Sequence, residues 1–171
     1  ISFDNGAKWQ SFQQNLPITP ITDVAVHNND LVVSTQGRAY WILDDLSPLH
    51  DWKQNGETQL LVPGVAYRTQ ISNGRGGFRP DPAPTGALLH YYLPKADSVE
   101  IIINDVNGNE VNLYKNIAGK TGINRFSWDL TYPKAKLVPG AFIYLSYSGG
   151  PKVIPGDYKV SLKAGNRTYE Q

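Results

Sequence analysis

The chain has no cysteine and no methionine among its 171 residues. Without cysteine there is no disulfide, no cysteine nucleophile and no thiolate metal site. That absence does not fix the compartment. Missing methionine, together with a start one residue before a tight motif, leads to the expectation that the chain is the tail of something larger. Charge is sparse: 18% of residues are charged and the formal net charge is +1. This weighs against nucleic acid and membrane surfaces as partners, because both call for a concentrated basic field. Long apolar runs are missing too. Those present are broken by Pro, Gly or charge, so neither a signal peptide nor a membrane-inserted helix is expected. No stretch carries the period of a long helix.

What remains is ample for folding. Hydrophobic residues make up 40% of the chain, enough to build a core. The length suits one ordinary domain or two small ones. Strand patterns dominate. Val24 to Asp45 reads as three short strands, with turns at Asn28-Asn29-Asp30 and Gln36-Gly37. This predicts an antiparallel meander in which Val24, Val26, Leu31, Val33, Tyr40 and Ile42 form an apolar face. Ser47 and Pro48 open a single helical turn as N-cap and first residue. Glu57 to Gln70 holds one or two strands. Ser72 to Gly86 is rich in Gly and Pro and reads as a loop or linker.

From Gly86 onward the texture is again β. Candidate strands are GALLHYYLP, SVEIIIND, GNEVNLYKN, INRFSWDLTYP, AFIYLSYS and DYKVSLKAG. Asn107-Gly108 is the strongest hairpin signal. Phe126, Trp128 and Leu130 share one face. So do Tyr158, Val160 and Leu162, with Lys159, Ser161 and Lys163 opposite. These two apolar faces predict the core of a sandwich.

SFDNGAKW matches the Asp-box pattern at Ser2, Asp4, Gly6 and Trp9. The physics is that of a turn. The Asp4 carboxylate is placed to accept backbone N–H groups of its own loop. Gly6 supplies a backbone geometry closed to other residues, and Trp9 packs its ring beneath the turn. Asp4 is therefore expected to be structural, not catalytic.

With this motif in view, the first 49 residues resemble the last blade of bacterial neuraminidase-repeat propellers related to the sortilin N-terminal domain. The likeness rests on the Asp-box, Asn15-Leu16-Pro17, Val24 to His27 after Asp23, and Gly37-Arg38 with Trp41, Leu43, Asp44 and Asp45. The second half resembles the domain that follows such propellers, at Ala66 to Arg68, GALLHYYLP, NRFSWDLTYP and IPGDYKVSLKAGNRTYEQ. It also resembles the immunoglobulin-like domain of flagellar hook-capping proteins and secretion-tail sandwiches of Bacteroidetes. The resemblance implies a glycosyl-hydrolase-like, exported parent in a bacterium, located in the periplasm, on the outer surface or secreted.

Other motifs have plainer explanations. Asp105, Asn107 and Asn109 have the alternate spacing of a calcium loop, but Gly108 is misplaced and the bidentate acid is missing. No metal and no cofactor are expected. The Arg-Gly run Gly74 to Pro80 reads as a loop. His27, His50 and His90 have no ligand spacing. Asn166 to Thr168 is a glycosylation sequon, relevant in a eukaryotic secretory host. Tyr91, Tyr92, Tyr144 and Tyr147 lie in strands able to present rings on either face; packing in a core is the expected role of each ring, and sugar binding by an aromatic face with polar neighbours is the competing one.

The sequence thus predicts an all-β chain. Residues 1–49 form a terminal blade, 50–85 a connection, and 86–171 an immunoglobulin-like sandwich. The expected role is non-catalytic: capping the propeller and binding carbohydrate or a partner domain. Expected partners are preceding blades of the same polypeptide, carbohydrate, and a second copy through the open blade. The alternative is enzymatic, with Arg38 or Arg68 lent to a sialidase-like site of the parent chain.

Overall fold

A computed structural model describes residues 1–68, 85–134, 136, 140 and 149–171. The regular structure described is almost all β. It falls into two compact units, Ile1–Leu46 and Ser47–Gln171. The division lies a few residues before the boundary at 49 read from the sequence. No helix among the described residues is long and apolar enough to cross a membrane.

The first unit is an antiparallel meander of β1 (Ile21–His27), β2 (Asp30–Thr35) and β3 (Tyr40–Leu43), in that order. Asn28 and Asn29 take φ of 48° and 67°, so β1 and β2 join through a tight two-residue turn with His27 opposite Asp30. Asparagine is among the few side chains that tolerate this geometry. The next turn uses Gly37 and Ala39, both at positive φ. The Thr35 hydroxyl and N–H both donate to the Ala39 carbonyl there.

Register corrects the predicted apolar face. Val24 opposes Val33, Val26 opposes Leu31, and β2 continues the pairing as Leu31 with Leu43 and Val33 with Trp41. Opposed residues share a face. The face is therefore Val24, Val26, Leu31, Val33, Trp41 and Leu43. Tyr40 and Ile42 lie on the other side, opposite Ser34 and Val32.

The second unit begins with α1 (Ser47–Asp51), the short turn foreseen at Ser47-Pro48. Two sheets follow. One has the order β4 (Gln59–Leu60), β5 (Ala87–Leu93), β8 (Gly122–Trp128). The other runs β10 (Arg167–Glu170), β9 (Tyr158–Ala164), β6 (Asp97–Asp105), β7 (Glu110–Gly119). All pairings are antiparallel. Their facing side chains make one core: Leu89, Tyr91 and Leu93 from β5, Trp128 from β8, Val99, Ile101 and Ile103 from β6, and Val160 and Leu162 from β9. Ile101, Ile103 and Leu162 have no exposure at all. This is a sandwich-like arrangement, with Trp128 and the β9 face inside as the alternation required.

Tyr91 is 2% exposed and takes the core role read for it, and Tyr92 is half-buried with its ring 5.1 Å from that of Trp52. Two details differ from expectation. β4 turns part of the predicted connection into a sandwich strand, pairing Gln59 with Tyr92 and Leu60 with Tyr91. β10 was not foreseen; it returns through Gly165-Asn166, which places the sequon's Asn166 in an exposed hairpin turn and its Thr168 in β10. The strand read in AFIYLSYS, Tyr144 and Tyr147, and the Arg-Gly run all lie outside the described residues.

Candidate functional site

The Asp-box turn is closed by its own side chains. The Lys8 N–H and the Ser2 hydroxyl each donate to Asp4 Oδ1 at 2.8 Å. Ser2 Oγ in turn accepts the Gly6 N–H at 2.8 Å. Gly6 stands at φ 89°. A side chain there would come within 3.9 Å of the Trp9 ring, which lies alongside the turn. Trp9 is nonetheless 76% exposed, so its ring flanks the loop without being covered. The Lys8 N–H first, and the Ser2 hydroxyl second, hold the Asp4 carboxyl below its ordinary value. A general acid at neutral pH needs the opposite shift.

Asp105 repeats the device in the β6–β7 hairpin. Its Oδ1 accepts the N–H groups of Asn107 and Asn109, both at 2.9 Å, and its Oδ2 accepts the Asn109 side-chain amide. The Asn109 side chain first, then the backbone donors, push its carboxyl down as well. Both oxygens thus face donors inside their own loop, where a cation would need them turned outward. Among the described residues no group of three or more His, Asp or Glu could hold a metal ion.

The arginines named from the sequence fall in different units. Arg38 is exposed in the β2–β3 loop, where its carbonyl accepts the Trp41 indole N–H at 2.9 Å. Asp45 and Asn29 close the other end of the meander: the Asn29 amide donates to Asp45 Oδ1, and the Asp45 N–H donates to Asp30 Oδ1. Arg68 ends a strap, residues 62–68, that leaves β4 after the Pro63-Gly64 break and runs over an open groove in the sandwich.

That groove has a volume of about 760 Å³. Leu89, Trp128 and Val160 line it from the core, and Tyr67, Ile154 and Tyr158 from its margins. The Tyr158 hydroxyl donates to the Ile154 carbonyl at 2.6 Å, which fixes that ring. Trp128 meets Tyr158 edge-on, with centroids 5.2 Å apart. The charged lining residues are Arg68 and Asp157. Asp157 is the one side-chain carboxylate among the described lining residues. Retaining glycoside hydrolysis requires two carboxyls about 5 Å apart, and this lining does not supply the pair.

Sequence reasoning missed Asp157, Tyr67 and the strap. Pro63-Gly64, directly after the apolar run Leu60 to Val62, was the available signal that the chain leaves the sheet there. It also gave Ser2 no role, although the hydroxyl bridges Asp4 to Gly6. Compared with models of known protein families the chain matches none, and no curated protein matches it.

Proposed function

We propose that this chain is a non-catalytic docking and binding region, in which the meander serves as the terminal blade of a propeller and the sandwich caps it. The observation that carries the reading is the open apolar face of the meander. Val24 and Val26 are 55% and 65% exposed, and they share their face with the half-buried Leu31, Val33, Trp41 and Leu43. An apolar sheet face calls for a second layer, and an exposed patch of this kind marks an interaction surface. The Asp-box turn and the Asp45 tie to the β1–β2 turn are compatible with the blade that the sequence resembles. In that setting the cover is a preceding blade of the same polypeptide. The sandwich groove, with aromatic rings beside Arg68 and Asp157, suits carbohydrate or a partner segment. Export to the periplasm, outer surface or medium of a bacterium belongs to the same reading.

The enzymatic alternative draws on Arg68, which lines the groove, as a group lent to a glycoside hydrolase site completed elsewhere in a longer chain. One experiment separates the two. The purified chain is assayed on aryl-glycoside and sialoside panels while light scattering and limited proteolysis follow its association. The docking reading expects no turnover, with concentration-dependent association or early cleavage within residues 1–46. Turnover lost on Asp157→Asn or Arg68→Ala overturns it. So does a monomer whose meander resists protease at high concentration.

A further inference from the structure

The sequence contains four Asn-Gly pairs, at Asn5, Asn55, Asn73 and Asn107. Such pairs carry an electrophilic side-chain amide next to a backbone nucleophile. The glycine N–H has no side chain to shield it, and its attack on the asparagine amide carbon closes a five-membered ring. Asn73 lies outside the described residues. The other three are exposed, and they differ in what surrounds the reacting atoms.

In two of them the nucleophile is engaged. The Gly6 N–H donates to Ser2 Oγ at 2.8 Å. The Gly108 N–H donates to the Asp105 carbonyl at 3.0 Å. A nitrogen whose hydrogen is held by an acceptor inside a tight turn must break that bond before it can reach the neighbouring amide carbon. Gly56 is different: among the described residues its N–H donates to nothing. The asparagine beside it is also prepared. Asn55 Oδ1 accepts the Glu57 N–H at 3.0 Å and the Gln59 side-chain amide at 2.7 Å. Gln59 is itself fixed by the Lys53 N–H and carbonyl. Two donors aimed at a carbonyl oxygen stabilise the negative charge that gathers there when the carbon is attacked.

We propose that Asn55 is the preferred self-modification site of the described fold, converting through a cyclic imide to aspartate and isoaspartate. The Gly56 nitrogen attacks Asn55 Cγ and gives up its proton to solvent. Charge collects on Oδ1 between the Glu57 and Gln59 donors. The Cγ–Nδ2 bond then breaks, and the amide leaves as ammonia after taking a proton. Water opens the imide at either carbonyl, so the net change is amide plus water to carboxylate plus ammonium. No oxidant or cofactor is involved. Opening at the backbone carbonyl inserts a methylene into the main chain, in the loop that leads into β4.

The test is incubation of the whole chain in mildly alkaline buffer, followed by tryptic mapping. Lysines and arginines place the four pairs in separate peptides. The Asn55 peptide is expected to convert about tenfold faster than those of Asn5 and Asn107. In strong denaturant the three rates should converge, because the local sequence is the same Asn-Gly pair. Ser2→Ala, which frees the Gly6 N–H, should raise the Asn5 rate alone. The proposal is overturned if Asn5 or Asn107 matches Asn55 in the folded chain, if the ranking survives denaturation, or if Ser2→Ala leaves Asn5 unchanged.

Discussion

The two units are built from the same materials and reach opposite ends of burial. Each is an antiparallel β arrangement with tight turns and β-branched strands. In the sandwich, Val99, Ile101, Ile103 and Leu162 are at most 1% exposed. In the meander, no strand residue is buried, and every residue of β1 is exposed. Complete burial of such a side chain stabilises by about 1.5–3 kcal/mol. The sandwich collects that gain many times over, whereas the meander relies on ladders, turns and side-chain clasps. Good strands do not make a core; a second layer does.

The strongest way to break this contrast is to remove the same kind of atoms from both units. Ile101→Ala should destabilise the second unit by about 2–5 kcal/mol, as for other fully enclosed aliphatic residues. Val24→Ala in the isolated chain should stay within about 0.5 kcal/mol. Urea unfolding followed separately by Trp128 and Trp41 fluorescence, in single-tryptophan variants, measures both. An equal loss in the two units would mean that the meander's face is covered in solution.

A smaller effect is expected at Gly150. A Cβ there would run into the Tyr132 carbonyl oxygen and crowd that of Pro133, both backbone atoms. Gly150→Ala should therefore cost about 1–3 kcal/mol through forced displacement of the 131–152 bridge. At Gly64, with nothing within 4 Å, the same change should be silent. A thermal midpoint unchanged by Gly150→Ala would show that this approach is not held in solution.

The mildest test concerns the clasps the units have in common. Asp4 and Asp105 both titrate below the ordinary aspartate value of 3.8 in the folded chain. Their contribution is complete above that unfolded value and is lost as pH falls through the folded one. Acidification below 3.8 should speed amide exchange at Lys8 and Asn109, whose N–H groups those carboxylates accept. The Ile101 amide should lag behind them. Loss of protection at Lys8 already near neutral pH would contradict the assigned role of Asp4.

Much of the fold was legible because its turns are written in asparagine and glycine. Asn28-Asn29 and Asn107-Gly108 mark hairpins wherever they occur, and the lysines of β9 alternate cleanly with its core residues. Failures came where parity was ambiguous. The β2–β3 loop sets Ser34 opposite Tyr40, and nothing in the one-dimensional pattern of YWIL says which pair of rings and aliphatics turns inward. β5 is apolar on both faces, so Tyr91 and Tyr92 could not be sorted. β10 hid behind the two-residue Gly165-Asn166 turn, a hairpin signal that the sequon reading masked. The groove was illegible for a different reason. Arg68, Trp128 and Asp157 line one groove only after the chain has folded, and no spacing along the sequence encodes that.

The pairing of Ile101 with Leu162 joins strands separated by about half of the second unit's length. The meander, by contrast, closes entirely through neighbouring hairpins. Folding speed falls as contacting residues lie farther apart in the chain. On a ribosome, which releases the N-terminal part first, the meander can therefore finish while β9 has yet to be synthesised. For that interval the nascent chain carries a formed sheet with a valine-rich side and a second unit still without one inner strand of its larger sheet. Slowing synthesis after Asp105 would lengthen this window, and with it the demand for a chaperone.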